Sequence, residues 1–242
     1  MSRDGGPARL EAHIARKEVR TASGQRMDVL ADLSFSLEAG ETGALIGPSG
    51  CGKSTLMRIV AGLDRRFDGE VRRPARGRIG MAFQEPRLLA WRSVADNVRL
   101  AAPEASEGEL DALLAQLGLA EHRAHYPGEL SLGLARRVSL ARAFAVRPAL
   151  LLLDEPFVSL DAPLARQLRA DLCKLVESRQ MITLLVTHDV DEAIALADRI
   201  FVLSPRPAHV LGVVEVARPR GRMDAAEESA INARIEALRG GG

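Results

Sequence analysis

The sequence predicts an α/β fold, with an antiparallel β portion near its start and an all-helical subdomain inserted in the middle. Three observations carry this expectation. Continuous apolar runs, Leu150 to Leu153 and Ile182 to Val186, read as strands buried on both faces of a sheet, and helical patterns follow them. Between about Pro86 and Pro148 helix signals abound and strand signals are nearly lacking. Upstream, Leu33, Phe35 and Leu37 alternate with Ser34 and Ser36, the period of two of a half-buried antiparallel strand.

In chain order, that first strand spans Val29 to Leu37 and ends before Gly40. Thr42 to Ile46 forms a second strand that runs into a glycine-rich loop, after which Leu56, Ile59, Val60 and Leu63 fall on one helix face. Ile79 to Phe83 is a further strand. In the helical insertion, Ser106 and Glu109 make a capping box ahead of Leu110, Leu113, Leu114 and Leu117. A second helix covers Leu134 to Val146. Asp161, with Pro163 in the first turn, starts a helix whose buried stripe is Leu164, Leu168, Leu172, Leu175 and Val176. Asp189 and Glu192 form another capping box before Ile194 and Ala197. Ile200 to Leu203 and Val210 to Val216 are closing strands, and Ile231, Ile235 and Leu238 mark a short amphipathic helix. The expected division is an N-terminal extension over 1–13, one domain over 14–219 with its helical subdomain at about 86–148, and a tail over 220–242.

Composition excludes several classes. With 242 residues, 47% apolar and 27% charged, the chain is an ordinary globular protein with a sizeable core. A net charge of +1 gives no reason to expect nucleic acid as a partner. The short Arg72-Arg73 cluster reads as solvated surface. No stretch of about 18 uncharged apolar residues is present to span a membrane, and Met1 to Leu10 lacks the apolar segment of a secretory signal. The two cysteines, Cys51 and Cys173, have no metal-ligand spacing and do not suggest a disulfide framework, so a cytoplasmic setting is expected.

The chemistry concentrates in a few places. Gly47-Pro48-Ser49-Gly50-Cys51-Gly52-Lys53-Ser54, followed by Thr55, fits the P-loop pattern in full and lies between a predicted strand and a predicted helix. Its glycines let backbone N–H groups turn toward phosphates, Lys53 reaches the β- and γ-phosphates, and Ser54 is placed to ligate Mg²⁺. The Leu150–Leu153 run ends in Asp154-Glu155, which puts two carboxylates at the carboxyl edge of the sheet. Asp154 is the candidate Mg²⁺ holder and Glu155 the candidate general base. His188 and Gln84 each follow a predicted strand, which would bring them to the same edge.

Taken in order, Gly47–Ser54, Gln84, Ser131–Arg137, Asp154-Glu155, Ser159-Leu160-Asp161 and His188 closely resemble the ABC transporter ATPases, from about Ile14 to Val216. The resemblance implies a P-loop (RecA-like) ATPase core using ATP and Mg²⁺. It makes Gln84 the Q-loop residue, Ser159 to Asp161 the D-loop and His188 the switch histidine. It also implies two cassettes sandwiching two ATP molecules, with Ser131 and Gly133 completing the partner's site. The expected setting is the cytoplasmic face of the cell membrane, with a separate permease, a second copy of the subunit and, outside, a solute-binding protein. Phe83 to Trp91 followed by Val94 to Val98 is similar to the nitrate/sulfonate/taurine importers. Exporter or lipid-transport ATPases, and soluble cassettes not coupled to transport, are the alternatives. Long coiled-coil insertions and second cassettes, typical of the soluble members, are absent, and a small-molecule kinase would not explain Ser131–Arg137.

Two departures stand out. Where the family usually has Leu-Ser-Gly-Gly-Gln, this chain has Leu130-Ser131-Leu132-Gly133-Leu134. With Ser131 as a helix cap, Leu132 becomes the first helical residue and needs no positive φ. The family also stacks an aromatic residue on adenine upstream of the P-loop, yet residues 14–28 contain no Phe, Tyr or Trp, and Arg20 lies near that place.

Overall fold

The computed structural model describes residues 9–21, 23–158, 160–216 and 224–240. Two sheets and seven helices build it among these residues. A small antiparallel sheet, ordered β2-β1-β4, comprises β1 (Arg9–Arg20), β2 (Arg26–Glu38) and β4 (Asp68–Arg72). The larger sheet also contains β3 (Thr42–Ile46), β5 (Arg78–Ala82), β6 (Pro148–Asp154), β7 (Ile182–Thr187), β8 (Arg199–Leu203) and β9 (Val210–Glu215). Its order is β5-β6-β7-β3-β8-β9, parallel except for the antiparallel β8–β9 pair.

β1 and β4 are absent from the sequence reading. Leu10, Ala12 and Ile14 alternate inward on β1, but charged Arg16, Lys17 and Glu18 then mask the pattern. Lys17 is nevertheless buried, because its ammonium donates to the Arg66 carbonyl at 2.6 Å and pairs with Asp64 at 2.8 Å. Arg9 already pairs with Glu38 of β2, so the first strand begins ahead of Ile14.

Between the sheet strands lie α1 (Lys53–Val60), then the helical insertion of α2 (Val94–Ala101), α3 (Glu107–Gln116) and α4 (Leu132–Ala145). The Ser106–Glu109 capping box forms as expected at the start of α3. Ser131 caps α4, so that helix begins at Leu132, as its reading as a cap implies, two residues ahead of the Leu134 to Val146 stretch. α5 (Ala162–Glu177) starts on Asp161, whose carboxylate accepts the Leu164 N–H at 2.8 Å. Leu168, Leu172, Leu175 and Val176 are buried along it, while Leu164 is half-buried. α6 (Val190–Leu196) is capped by Asp189, but Glu192 does not complete the box. Its carboxylate instead accepts the Thr187 hydroxyl at 2.5 Å, inside the protein. α7 (Ala225–Gly240) buries Ile231 and Ile235, and Leu238 packs against Gly212 of β9.

The large sheet separates two apolar cores. One face, with Leu151, Leu153 and Leu185, packs on the helical insertion and α5 to α7; the other, with Leu150, Leu152 and Leu184, packs on α1 and the small sheet.

Candidate functional site

Parallel strands point their carboxyl ends the same way, so residues just beyond them share one edge. Here β6, β7 and β3 are adjacent, and Ile46 of β3 pairs with Thr187 of β7 while Asp154 of β6 pairs with Val186. The register therefore brings the Gly47 loop, Asp154-Glu155 and His188 level with one another.

The loop from Gly47 to Gly52 is shaped by close approach. At Gly52, with φ of 125°, a Cβ would meet Val29 Cγ1 at 2.6 Å, so only glycine lets the turn pack beneath β2. Lys53 is buried and its Nζ donates to the Gly47 carbonyl at 2.7 Å and the Pro48 carbonyl at 3.0 Å. The ammonium thus spans its own loop. Pro48, Ser49 and Gly50 are exposed, Thr55 is half-buried, and Cys51 is buried beneath the loop among the apolar residues of the small-sheet side.

Ser54 Oγ stands 3.4 Å from Asp154 Oδ1. Gln84, exposed just past β5, lines with them an open cleft of about 550 Å³ that also meets Glu85 and Arg87. Burial raises the Asp154 carboxyl above its ordinary value; the Ser54 hydroxyl opposes this, the nearby Glu155 charge adds to it, and Lys53 and Arg87 counter it. A hydroxyl, an amide oxygen and one carboxylate form the oxygen set that a hard divalent cation takes when phosphates and water supply the remainder.

Glu155 follows at the strand end with φ of 47°, in the left-handed region where a non-glycine residue is strained. Its N–H donates to the Val186 carbonyl at 2.9 Å. Its Oε2 lies 3.1 Å from Nδ1 of the exposed His188.

Ser131 and Gly133 sit elsewhere in this chain, at the N-terminus of α4. Ser131 Oγ accepts the Leu134 N–H at 3.3 Å, and Leu132 is exposed. Gly133 is buried, and a Cβ there would meet Leu164 Cδ2 at 2.3 Å. Asp161 lies at the α5 cap; Ser159 falls outside the described residues. The β1–β2 hairpin ends at the Arg20–Arg26 pair, so Arg20 occupies the tip of the small sheet.

The profile of the family described as "ABC transporter" matches residues 30–158. The chain belongs to this family. An aliphatic sulfonates import ATP-binding protein (SsuB 2) of Burkholderia cenocepacia is 43% identical over 228 residues, covering 90% of this chain and 83% of that protein. A second protein of that description (SsuB 1), from Xanthomonas axonopodis, is 42% identical, with 92% and 91% covered. Among solved structures, a dimeric ATP-binding cassette in a post-hydrolysis state, bound to ADP and Pi, superposes with a TM-score of 0.73 at 26% identity, over 87% of this chain and all of that one. This ABC cassette is an ATP-binding, ATP-hydrolysing subunit that energises import. No helix among its described residues is long and apolar enough to cross a membrane.

Sequence reasoning missed two residues that serve the site. Asn97, buried on α2, accepts the Leu89 N–H at 2.8 Å and donates to the carbonyls of Leu89, Arg92 and Ser93, which fixes the segment following Gln84. A polar residue on the apolar face of α2, between Val94 and Val98, was the available signal. Arg136 is the other, donating to the Glu155 and Pro156 carbonyls at 3.1 and 3.2 Å.

Proposed function

We propose that the cassette powers uptake of an organic sulfonate through a separate membrane permease, working as a dimer of two copies at the cytoplasmic face of the membrane. An extracytoplasmic binding protein delivers the solute to the permease. The observation that carries the catalytic part is the meeting of Glu155 and His188 beside the Gly47–Thr55 loop. In this reading the loop amides and Lys53 hold the ATP phosphates, while Ser54, Gln84 and Asp154 hold Mg²⁺, which neutralises phosphate charge. Glu155 orients and deprotonates the attacking water, and His188 keeps the carboxylate aimed while its other nitrogen faces the γ-phosphate region. Ser131 and Gly133 offer a hydroxyl, an N–H and a helix N-terminus to the phosphate held by the partner.

Support for the solute comes from the two relatives, both aliphatic sulfonates import ATP-binding proteins, of which 83% and 91% are covered. The deciding experiment is reconstitution with the membrane protein that co-purifies with the chain, in vesicles loaded with the binding protein. Stimulation of ATP hydrolysis by an alkanesulfonate, and not by nitrate, supports this reading. Stimulation without any binding protein would instead point to export.

A further inference from the structure

A buried cation is costly unless its donors are satisfied. Arg136 of α4 is buried, and its Nη1 donates to two successive main-chain carbonyls, of Glu155 at 3.1 Å and of Pro156 at 3.2 Å. Its Nε is buried with no partner among the described residues. The neighbouring Arg137 has a different environment: it donates to the Leu117 carbonyl at 2.9 Å and pairs with Asp171 at 3.0 Å, tying α4 to the end of α3 and to α5. The Arg136 contacts are thus not shared with a general helix-packing pair.

Those two carbonyls belong to the turn in which the chain leaves β6 through the strained Glu155 conformation. On one side the turn is anchored by the Glu155 N–H on Val186. Drawing both carbonyls onto one guanidinium fixes the other side, and with it the direction in which the Glu155 side chain leaves the backbone. Glu155 and Glu192 are the acids whose charges favour the Arg136 cation, against the cost of burial. Neither carboxylate is bonded to Arg136: Glu155 is turned to His188 and Glu192 to Thr187. The guanidinium therefore acts on the backbone of the base and leaves its carboxylate to His188.

We propose that Arg136 is a positioning residue for Glu155, holding the base in line from the helix whose first turn carries Ser131. This rests on Glu155 being the base. Seating of the Ser131 end of α4 and alignment of this chain's own base then become parts of one rigid connection.

The test compares Arg136→Met, which keeps volume without donors, and Arg136→Lys, which keeps charge and one donor group, in the full chain. ATP affinity, single-turnover hydrolysis and thermal melting are measured with and without Glu155→Gln. Arg136→Met is expected to slow hydrolysis by about 10- to 100-fold while ATP affinity stays within about threefold, with Arg136→Lys recovering part of the loss. In the Glu155→Gln background the same change should slow the residual reaction by less than about twofold, because a residue acting through the base has nothing left to position. An equal loss in both backgrounds, a parallel loss of ATP affinity, or unchanged hydrolysis would overturn the proposal. If Arg136→Met does not fold, Arg136→Lys carries the same comparison between backgrounds. Normal turnover by Glu155→Gln alone would instead remove Glu155 as base, a separate failure.

Discussion

Glu155 Oε2 and His188 Nδ1 lie 3.1 Å apart although their residues leave different strands, β6 and β7. The pairing of Asp154 with Val186 brings the two strand ends together, and the left-handed Glu155 backbone turns its side chain sideways to reach the ring. A carboxylate held this way cannot swing freely, which suits a group that must meet one water in one orientation.

Replacing Glu155 by Gln keeps size and polarity but removes the proton acceptor. Hydrolysis is expected to fall by about 10²-fold or more, while ATP affinity and the ATP-bound dimer persist. Near-normal turnover in a steady-state phosphate-release assay would exclude the carboxylate as base.

At the altered signature, the hydroxyl of Ser131 and the Gly133 N–H do not depend on the side chains at 132 and 134. Ser131→Ala should reduce turnover far more than Leu134→Gln does. The double change Leu132→Gly with Leu134→Gln should shift turnover by less than about tenfold, since Leu132 is exposed and each change is worth about 1 kcal/mol. Leu134 packs partly against the helical-side core, so a modest fall in melting temperature is expected to accompany its replacement. Equal damage from Ser131→Ala and Leu134→Gln would contradict this account.

The thiol of Cys51 is buried under the phosphate loop and not displayed in its mouth. Maleimide should therefore label the half-buried Cys173 before Cys51 in the folded chain. Cys51→Ala should leave hydrolysis nearly intact. Rapid labelling of Cys51, read by peptide mass, would show that the loop opens more readily than its packing implies.

Glu192 supplies a pH signature. Burial raises its carboxyl above the ordinary 4.5, with Asp189 adding to the rise and Thr187, Arg169 and His188 opposing it. The native state thus holds this proton more tightly than the unfolded chain does. Its contribution to stability is fully present below the unfolded value and is lost as pH rises through the folded one. Glu192→Gln removes that loss, so its melting temperature relative to the parent should rise between pH 4.5 and neutrality. A constant difference across the range, measured by thermal denaturation, would show that Glu192 does not titrate this way.

Strands with unbroken apolar runs and helices with capped starts were legible because one local pattern determined each. β6, β7 and the Asp161 start of α5 are examples. β1 was not, because buried Lys17 is satisfied by Arg66 and Asp64, partners far along the chain, and so reads as a break in the strand. Glu192 looked like the second half of a capping box since spacing cannot distinguish a reach back to the cap from a reach inward to Thr187. In the site, the loop and the acids were visible as motifs. The buried bonds of Arg136 and Asn97 depend on which backbone carbonyls the fold brings near them, and no short pattern encodes that.

Leu152 and Leu153 are consecutive, chemically identical and equally shut away from water, yet they answer to opposite halves of the molecule. A cavity cut at Leu152 opens in the core it shares with Leu10 and with Cys51 under the phosphate loop. One cut at Leu153 opens in the core beneath α4, the helix that Ser131 caps. Residues adjacent along the backbone become energetic strangers, while Leu152 and Leu10, far apart in the reading order, share one fate.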